Sequence, residues 1–338
     1  MFGTRVKEGE GAVEVGDRRL RRYAIVFVVL ALAGCFLPLL IAPTEWFLEH
    51  DDYPSLRQMG YGRRTAHLDC DVVLYGDSTA LTGLDPKVVG GITGMKACNV
   101  AEVGGILWVT GSEYPLDMYL KSNKRPRYVV FMYGASATQP FSGPFAGYAP
   151  EGMVYLLHYD RGAKLYVELL EHPTWVIRFS MWAGGRVMQN LVRRLTHGEP
   201  VGTAALHARE ERDAGGGVWP FPLPNETKCL GLSLPIPAKS LPAFSRGMEE
   251  VRSHFSVEGT RVLIDLSPLP ECDPYLREYR RDLAGMHDNA VEALPIGNFN
   301  DGDRHMNAVG GAYISEQVGR QIAALEEARK TQVSGRPQ

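Results

Sequence analysis

The runs Val72-Val73-Leu74-Tyr75 and Tyr128-Val129-Val130-Phe131-Met132-Tyr133 are apolar throughout instead of alternating with polar residues. A strand without a polar face has to be covered on both sides, which is the situation of a parallel sheet between two layers of helices. A further run at 96–101 lies between them, and helical spacing at 86–91 and 106–120 separates the three, giving a β-α-β-α-β order. The rhythm returns with a helix at 241–256, a strand at 260–265, a helix at 274–284, a fifth strand at 290–294 and a final amphipathic helix at 308–328. The expected class is α/β, with one parallel-sheet domain at 69–328 and a disordered tail at 329–338.

An insertion at about 138–243 interrupts this domain. Its apolar spacing suits helices at 155–170 and 175–195, and 214–242 is rich in Gly and Pro. With Trp175, Trp182 and Trp219 it is either a lid or substrate platform, or a helical flank whose aromatics are core.

The amino terminus differs in kind. Residues 1–22 are polar and end in Arg18-Arg19-Leu20-Arg21-Arg22, after which 23–42 carries no charge. Twenty such residues cross about 30 Å of hydrocarbon as a helix, and arginines on the near side keep that end in the cytoplasm. The expected order is a cytoplasmic tail at 1–22, a transmembrane signal anchor at 23–42, a linker at 43–68 and an extracytoplasmic body. Trp46 follows at interface depth, then Glu49, Asp51 and Asp52. A cleaved signal peptide fits less well, because Pro38 lies within the long apolar run and no small-x-small site follows. Leu32-Ala33-Gly34-Cys35 is a lipoprotein-like box that would put a lipid on Cys35, although 36–42 stays apolar after it.

With 45% hydrophobic and 22% charged residues the 338-residue chain has the composition of a globular protein, and a net charge of -3 without a basic run in the body excludes nucleic acid. In an exported body Cys70, Cys98, Cys229 and Cys272 can be oxidised. A bridge between Cys70 and Cys98, which begin neighbouring strands, leaves Cys229 with Cys272; buried free thiols remain the alternative.

The first apolar run stops at Gly76-Asp77-Ser78, a strand end that presents a hydroxyl where open α/β sheets bind their ligands. Composition alone puts Gly-Asp-Ser into about one chain in ten of this length, and Asp or Ser often only cap the next helix. The tripeptide therefore needs a partner. Phe299-Asn300-Asp301-Gly302-Asp303-Arg304-His305 supplies one just before the last helix: His305 as general base for Ser78, with Asp303 or Asp301 to hold the imidazole.

On these two blocks, residues of about 68–325 resemble the SGNH, or GDSL-type, hydrolase superfamily. The resemblance implies a flavodoxin-like three-layer sheet and a catalytic Ser78. The family's Asp-x-x-His position is Gly302, whereas the Asp-x-His spacing of SGNH-like polysaccharide acetylation proteins selects Asp303, with Asp301 as the alternative. Gly104 in Asn99-Val100-Ala101-Glu102-Val103-Gly104 matches the second block and would join the Ser78 N–H in the oxyanion hole. The third block departs: Gly134-Ala135-Ser136 has Ser136 where the family has an asparagine.

The implied function is a membrane-anchored esterase or O-acyltransferase acting on an acylated carbohydrate of the cell envelope, acetyl by resemblance, beside a multi-spanning acyltransferase as partner. It needs no cofactor, and the His and Cys spacing offers no metal site. A non-catalytic SGNH-fold scaffold in a polysaccharide assembly is the rival.

Overall fold

The computed structural model describes residues 10–41, 44, 65–101, 114–135, 154, 157, 167, 169–197, 216–217, 228–231, 233–256, 259–300 and 305–334. Four strands, β1 Val72–Gly76, β2 Ala97–Asn99, β3 Tyr128–Tyr133 and β4 Arg261–Leu266, form a wholly parallel sheet in the order β2-β1-β3-β4. The helices that accompany it are α1 Glu10–Ile41, α2 Ser78–Gly83, α3 Pro86–Thr93, α4 Tyr114–Ser122, α5 Pro173–His197, α6 Leu241–Phe255, α7 Leu276–Asp282 and α8 Ala308–Ser334.

The unbroken apolar runs are explained by burial on both faces. Val73, Tyr75, Val129, Phe131, Tyr133 and Ile264 pack with Tyr119 of α4, Phe179 of α5 and Met248 of α6. Val72, Leu74, Val130, Met132 and Leu263 pack on the other face with Ala80 of α2, Val89 of α3 and Ile314, Val318 and Ile322 of α8. Because β1 is flanked by β2 on one side and β3 on the other, the chain reverses its direction of travel between β1 and β3. In open α/β sheets the ligand crevice lies at the carboxyl ends of the two strands where that reversal occurs.

Two expectations change. The segment at 290–294 contributes only β6 Ala293–Leu294, which pairs with β5 Leu269–Pro270 in a separate two-stranded sheet. The last helix passes Ala328 and runs to Ser334, since Glu326, Glu327, Ala328, Arg329 and Lys330 all favour helix.

Disulfides join Cys70 to Cys98 and Cys229 to Cys272, across sequence separations of 28 and 43. The first fixes the entry of β1 to β2, and the second holds the returning end of the insertion beside β5. Chain entropy gives each about 4 kcal/mol. Gly216 and Gly217 close the β2 edge: the Asn99 N–H donates to the Gly216 carbonyl at 3.0 Å, and at Gly217 (φ 105°) a Cβ would overlap the Asn99 carbonyl.

Within α1, residues Arg19–Ile41 make a stretch of 23 that is long and apolar enough to cross a membrane. Its side chains are exposed from 19 to 34, whereas Leu39 is buried in the body's core and Ile41 packs against it. The carboxyl end of α1 is thus the point where this helix meets the folded body, against α5.

Candidate active site

Ser78 stands at the β1/β3 crevice because the turn that carries it is built from backbone requirements. Gly76 adopts φ 147°, and a Cβ there would overlap the Met132 carbonyl of β3. Asp77 is the N-cap of α2. Its Oδ1 accepts from the Thr79 N–H at 2.9 Å and the Thr79 hydroxyl at 2.7 Å, while Oδ2 accepts from the Gly134 N–H at 2.8 Å. One buried carboxylate therefore caps the helix and ties the end of β1 to the end of β3. The cap role falls to Asp77, so Ser78 occupies the first helical position with its hydroxyl available, and first-turn amides have no intrahelical acceptor.

Asn99 does the corresponding work on the β2 side. Its side-chain amide donates to the carbonyls of Ala80 and Leu84 at 2.9 and 2.8 Å, and its Oδ1 accepts from the Ala101 N–H at 3.0 Å. The serine helix is thus gripped by the end of β2.

His305 arrives on the return arm of the polar loop. The ends of that loop are pinned by an antiparallel bridge between Phe299 and Met306, both buried, by the Asn300 N–H to the His305 carbonyl at 2.8 Å, and by the Asn307 N–H to the Asn298 carbonyl at 2.9 Å. Asn307 Oδ1 then accepts from the Val309 and Gly310 N–H groups at the start of α8. The result is a distance of 2.9 Å between His305 Nε2 and Ser78 Oγ, across 227 residues of sequence. Both side chains are half-buried. A hydroxyl that close to an imidazole nitrogen can lose its proton to it as the oxygen attacks a carbonyl.

The approach of α8 to α2 and α3 that makes this contact depends on small side chains. Gly311 and Gly319 face Gly83 and Ile92 at close range, and Ser315 lies between them. The Ser315 hydroxyl accepts from the Asp85 N–H at 2.8 Å and donates to the Gly311 carbonyl at 2.6 Å, with the Gly83 carbonyl at 3.2 Å. Gly311, Ser315 and Gly319 recur every fourth residue, a spacing that keeps them on one helix face. That seam, Asn99 and the second bond of Asp77 were not among the expected site residues. The four-residue spacing of small residues was the available signal.

Of the other expected site residues, Asp303, Asp301, Gly104 and Ser136 lie outside the described residues. Among the described residues no group of three or more His, Cys, Asp or Glu side chains is placed to hold a metal ion.

Another carboxyl lies at the level of the site, in the β4 position whose register partner Met132 also pairs with Gly76. Burial pushes Asp265 up to about 6, against the hydrogen bonds from the Asn289 N–H and side-chain amide at 3.0 and 2.9 Å. A carboxyl raised in the folded state binds its proton more tightly folded than unfolded. Its contribution favours the fold at low pH and is lost as pH rises from about 4 through about 6. The expected loss is about 3 kcal/mol, because each tenfold difference in proton affinity between the folded and unfolded chain corresponds to about 1.4 kcal/mol. Urea unfolding of the full chain at pH 4 and pH 7 measures it: Asp265→Asn should lack that part of the decline, and equal declines in the two proteins would reject the assignment.

Comparisons with protein-family models, with curated proteins and with solved structures return no match.

Proposed function

We propose that the chain is a serine-dependent acyl ester hydrolase or O-acyltransferase of SGNH type, with a flavodoxin-like sheet. It would be anchored in the inner membrane by the helix at 23–42, with its body on the extracytoplasmic side. The observation that carries this reading is the 2.9 Å contact between His305 Nε2 and Ser78 Oγ at the crevice where the strand order reverses. Most residues at such an edge only cap helices, but here Asp77 performs the capping and leaves the serine to the histidine.

In the first half-reaction Ser78 Oγ attacks the ester carbonyl while His305 Nε2 takes its proton. The negative charge that develops on the carbonyl oxygen would rest on the N–H groups of Ser78 and Gly104, with the Ser136 hydroxyl as a shorter third donor. His305 then returns the proton to the departing alcohol, leaving an acyl-Ser78. In the second half a water or a sugar hydroxyl, deprotonated by the same histidine, attacks the acyl-enzyme; the acyl–Oγ bond breaks and His305 returns the proton to Ser78 Oγ. Asp303, or Asp301, would orient the imidazole and stabilise its positive form. An oxyanion donor is worth about 10² to 10³ in rate, so serine in place of the family's asparagine favours slow chemistry on a tethered substrate. An acylated polysaccharide of the envelope, held beside the membrane with a multi-spanning acyltransferase, fits that economy.

Two features support the location. The apolar run of α1 from residue 23 onward follows four arginines, and both disulfides belong to an oxidising compartment.

The test is labelling of the full chain in detergent micelles with a fluorophosphonate, followed by peptide mapping. The expected adduct is on Ser78, absent from Ser78→Ala. Labelling of the wild type no higher than of the variant would leave a non-catalytic binding protein of the same fold. Transfer is separated from hydrolysis by adding an oligosaccharide acceptor to p-nitrophenyl acetate turnover: faster release after the burst, with acetylated sugar formed, means transfer.

A further inference from the structure

The helix α5 carries a feature that the proposed chemistry does not use. Ile177, Met181, Gly184, Met188, Val192 and Leu195 fall four, three, four, four and three residues apart, a spacing that aligns them along one side of the helix. The five with side chains are exposed, Met181 to 74% and Leu195 to 76%. At Gly184 an added Cβ would meet open space. Val176, Phe179 and Ala183, on another side, are buried in the core. The stripe is therefore additional to the packing face that fixes the helix to the body.

Charge and position name the occupant. Arg178, Arg186, Arg193 and Arg194 lie within Pro173–His197, which contains no Asp or Glu. Such a helix is complementary to anionic lipid headgroups. Arg178 lies over the Trp175 ring at 5.5 Å, and Trp175 and Trp182 are half-buried, the disposition of residues at a water–lipid boundary. The carboxyl end of α1, where Leu39 and Ile41 join the core that also holds Val176, Phe179 and Ala183, packs against this same helix, so the span ends beside α5.

We propose that α5 is an interfacial helix that lays its 177–195 stripe into the outer-leaflet surface of an anionic bilayer, so that the body rests on the membrane instead of hanging from its linker. This rests on the reading of α1 as a membrane span. Arg178 and Arg193, both exposed, then lie at headgroup height, and the apolar stripe lies among the upper acyl chains.

Site-directed spin labelling tests this on the full chain in nanodiscs of phosphatidylethanolamine and phosphatidylglycerol, in a Cys35→Ala background. Labels at Met181→Cys and Met188→Cys report the stripe, Gln189→Cys the polar side and Val28→Cys the span. The expected ratio of oxygen to nickel-chelate collision rates is severalfold higher at 181 and 188 than at 189. Water-like ratios at 181 and 188 with a lipid-like ratio at 28 would overturn the surface contact while leaving the anchor intact. Low collision rates with both reagents at 181 and 188 would mean that protein covers the stripe, and would overturn it too. A water-like ratio at 28 would remove the anchor; lipid-like ratios at 181 and 188 would then still sustain the contact, and water-like ones would overturn both.

Discussion

Replacing His305 with alanine is expected to slow acylation of Ser78 by about 10² to 10⁴-fold, the usual contribution of a positioned general base. The substitution keeps every backbone bond that closes the loop, including the Asn300 N–H to the carbonyl of residue 305, and keeps the buried Phe299 and Met306 beneath it. The melting temperature should therefore stay within a few degrees of the wild type. Loss of rate without loss of stability separates a base from a structural residue. Added imidazole should recover part of the rate, since the ring would refill the space beside Ser78 Oγ. The burst of p-nitrophenol from p-nitrophenyl acetate, with and without imidazole, reads both effects. A burst rate equal to the wild type would show that the 2.9 Å contact has no part in the chemistry.

The second large effect concerns stability. Gly76→Ala should cost about 4 kcal/mol, near the upper end for single substitutions. Two penalties act together there: a φ of 147° that L side chains rarely adopt, and a Cβ driven into the Met132 carbonyl of the neighbouring strand. Met132 is also the register partner of Gly76, so relief of the clash requires the end of β1 to part from β3. That movement would carry Asp77 away from the Gly134 N–H and Ser78 away from His305. For a body of this size the melting temperature should drop by about 10 °C, with fluorophosphonate labelling lost in parallel. A variant that melts within about 2 °C of the wild type would show that the turn tolerates a side chain.

The sheet and its strand end were legible because their causes are local. A run such as Tyr128–Tyr133, buried on both faces, has to be apolar throughout, and a strand that stops at a positive φ calls for glycine. What escaped depends on partners distant in sequence. Asp77 reads as a helix cap from its neighbours alone; its bond to Gly134 follows only from the β1–β3 register. Gly311, Ser315 and Gly319 look like any small residues on an amphipathic helix until Gly83 and Ile92 are placed against them. The two-residue strand Leu269–Pro270 escaped because proline argues against a strand, and it is tolerated here in a short isolated pair.

The separation between the two halves of the site has a consequence for timing. On the proposed topology the amino-terminal tail stays in the cytoplasm and the body crosses in chain order behind the span, so Cys70 and Cys98 can pair as soon as residue 98 has crossed. The serine strand can be stapled to its neighbour while the rest is still being synthesised. His305 follows Ser78 by 227 residues, so it crosses well after that staple can form. Until residue 305 has crossed, a stapled serine strand has no base beside Ser78 and is chemically silent.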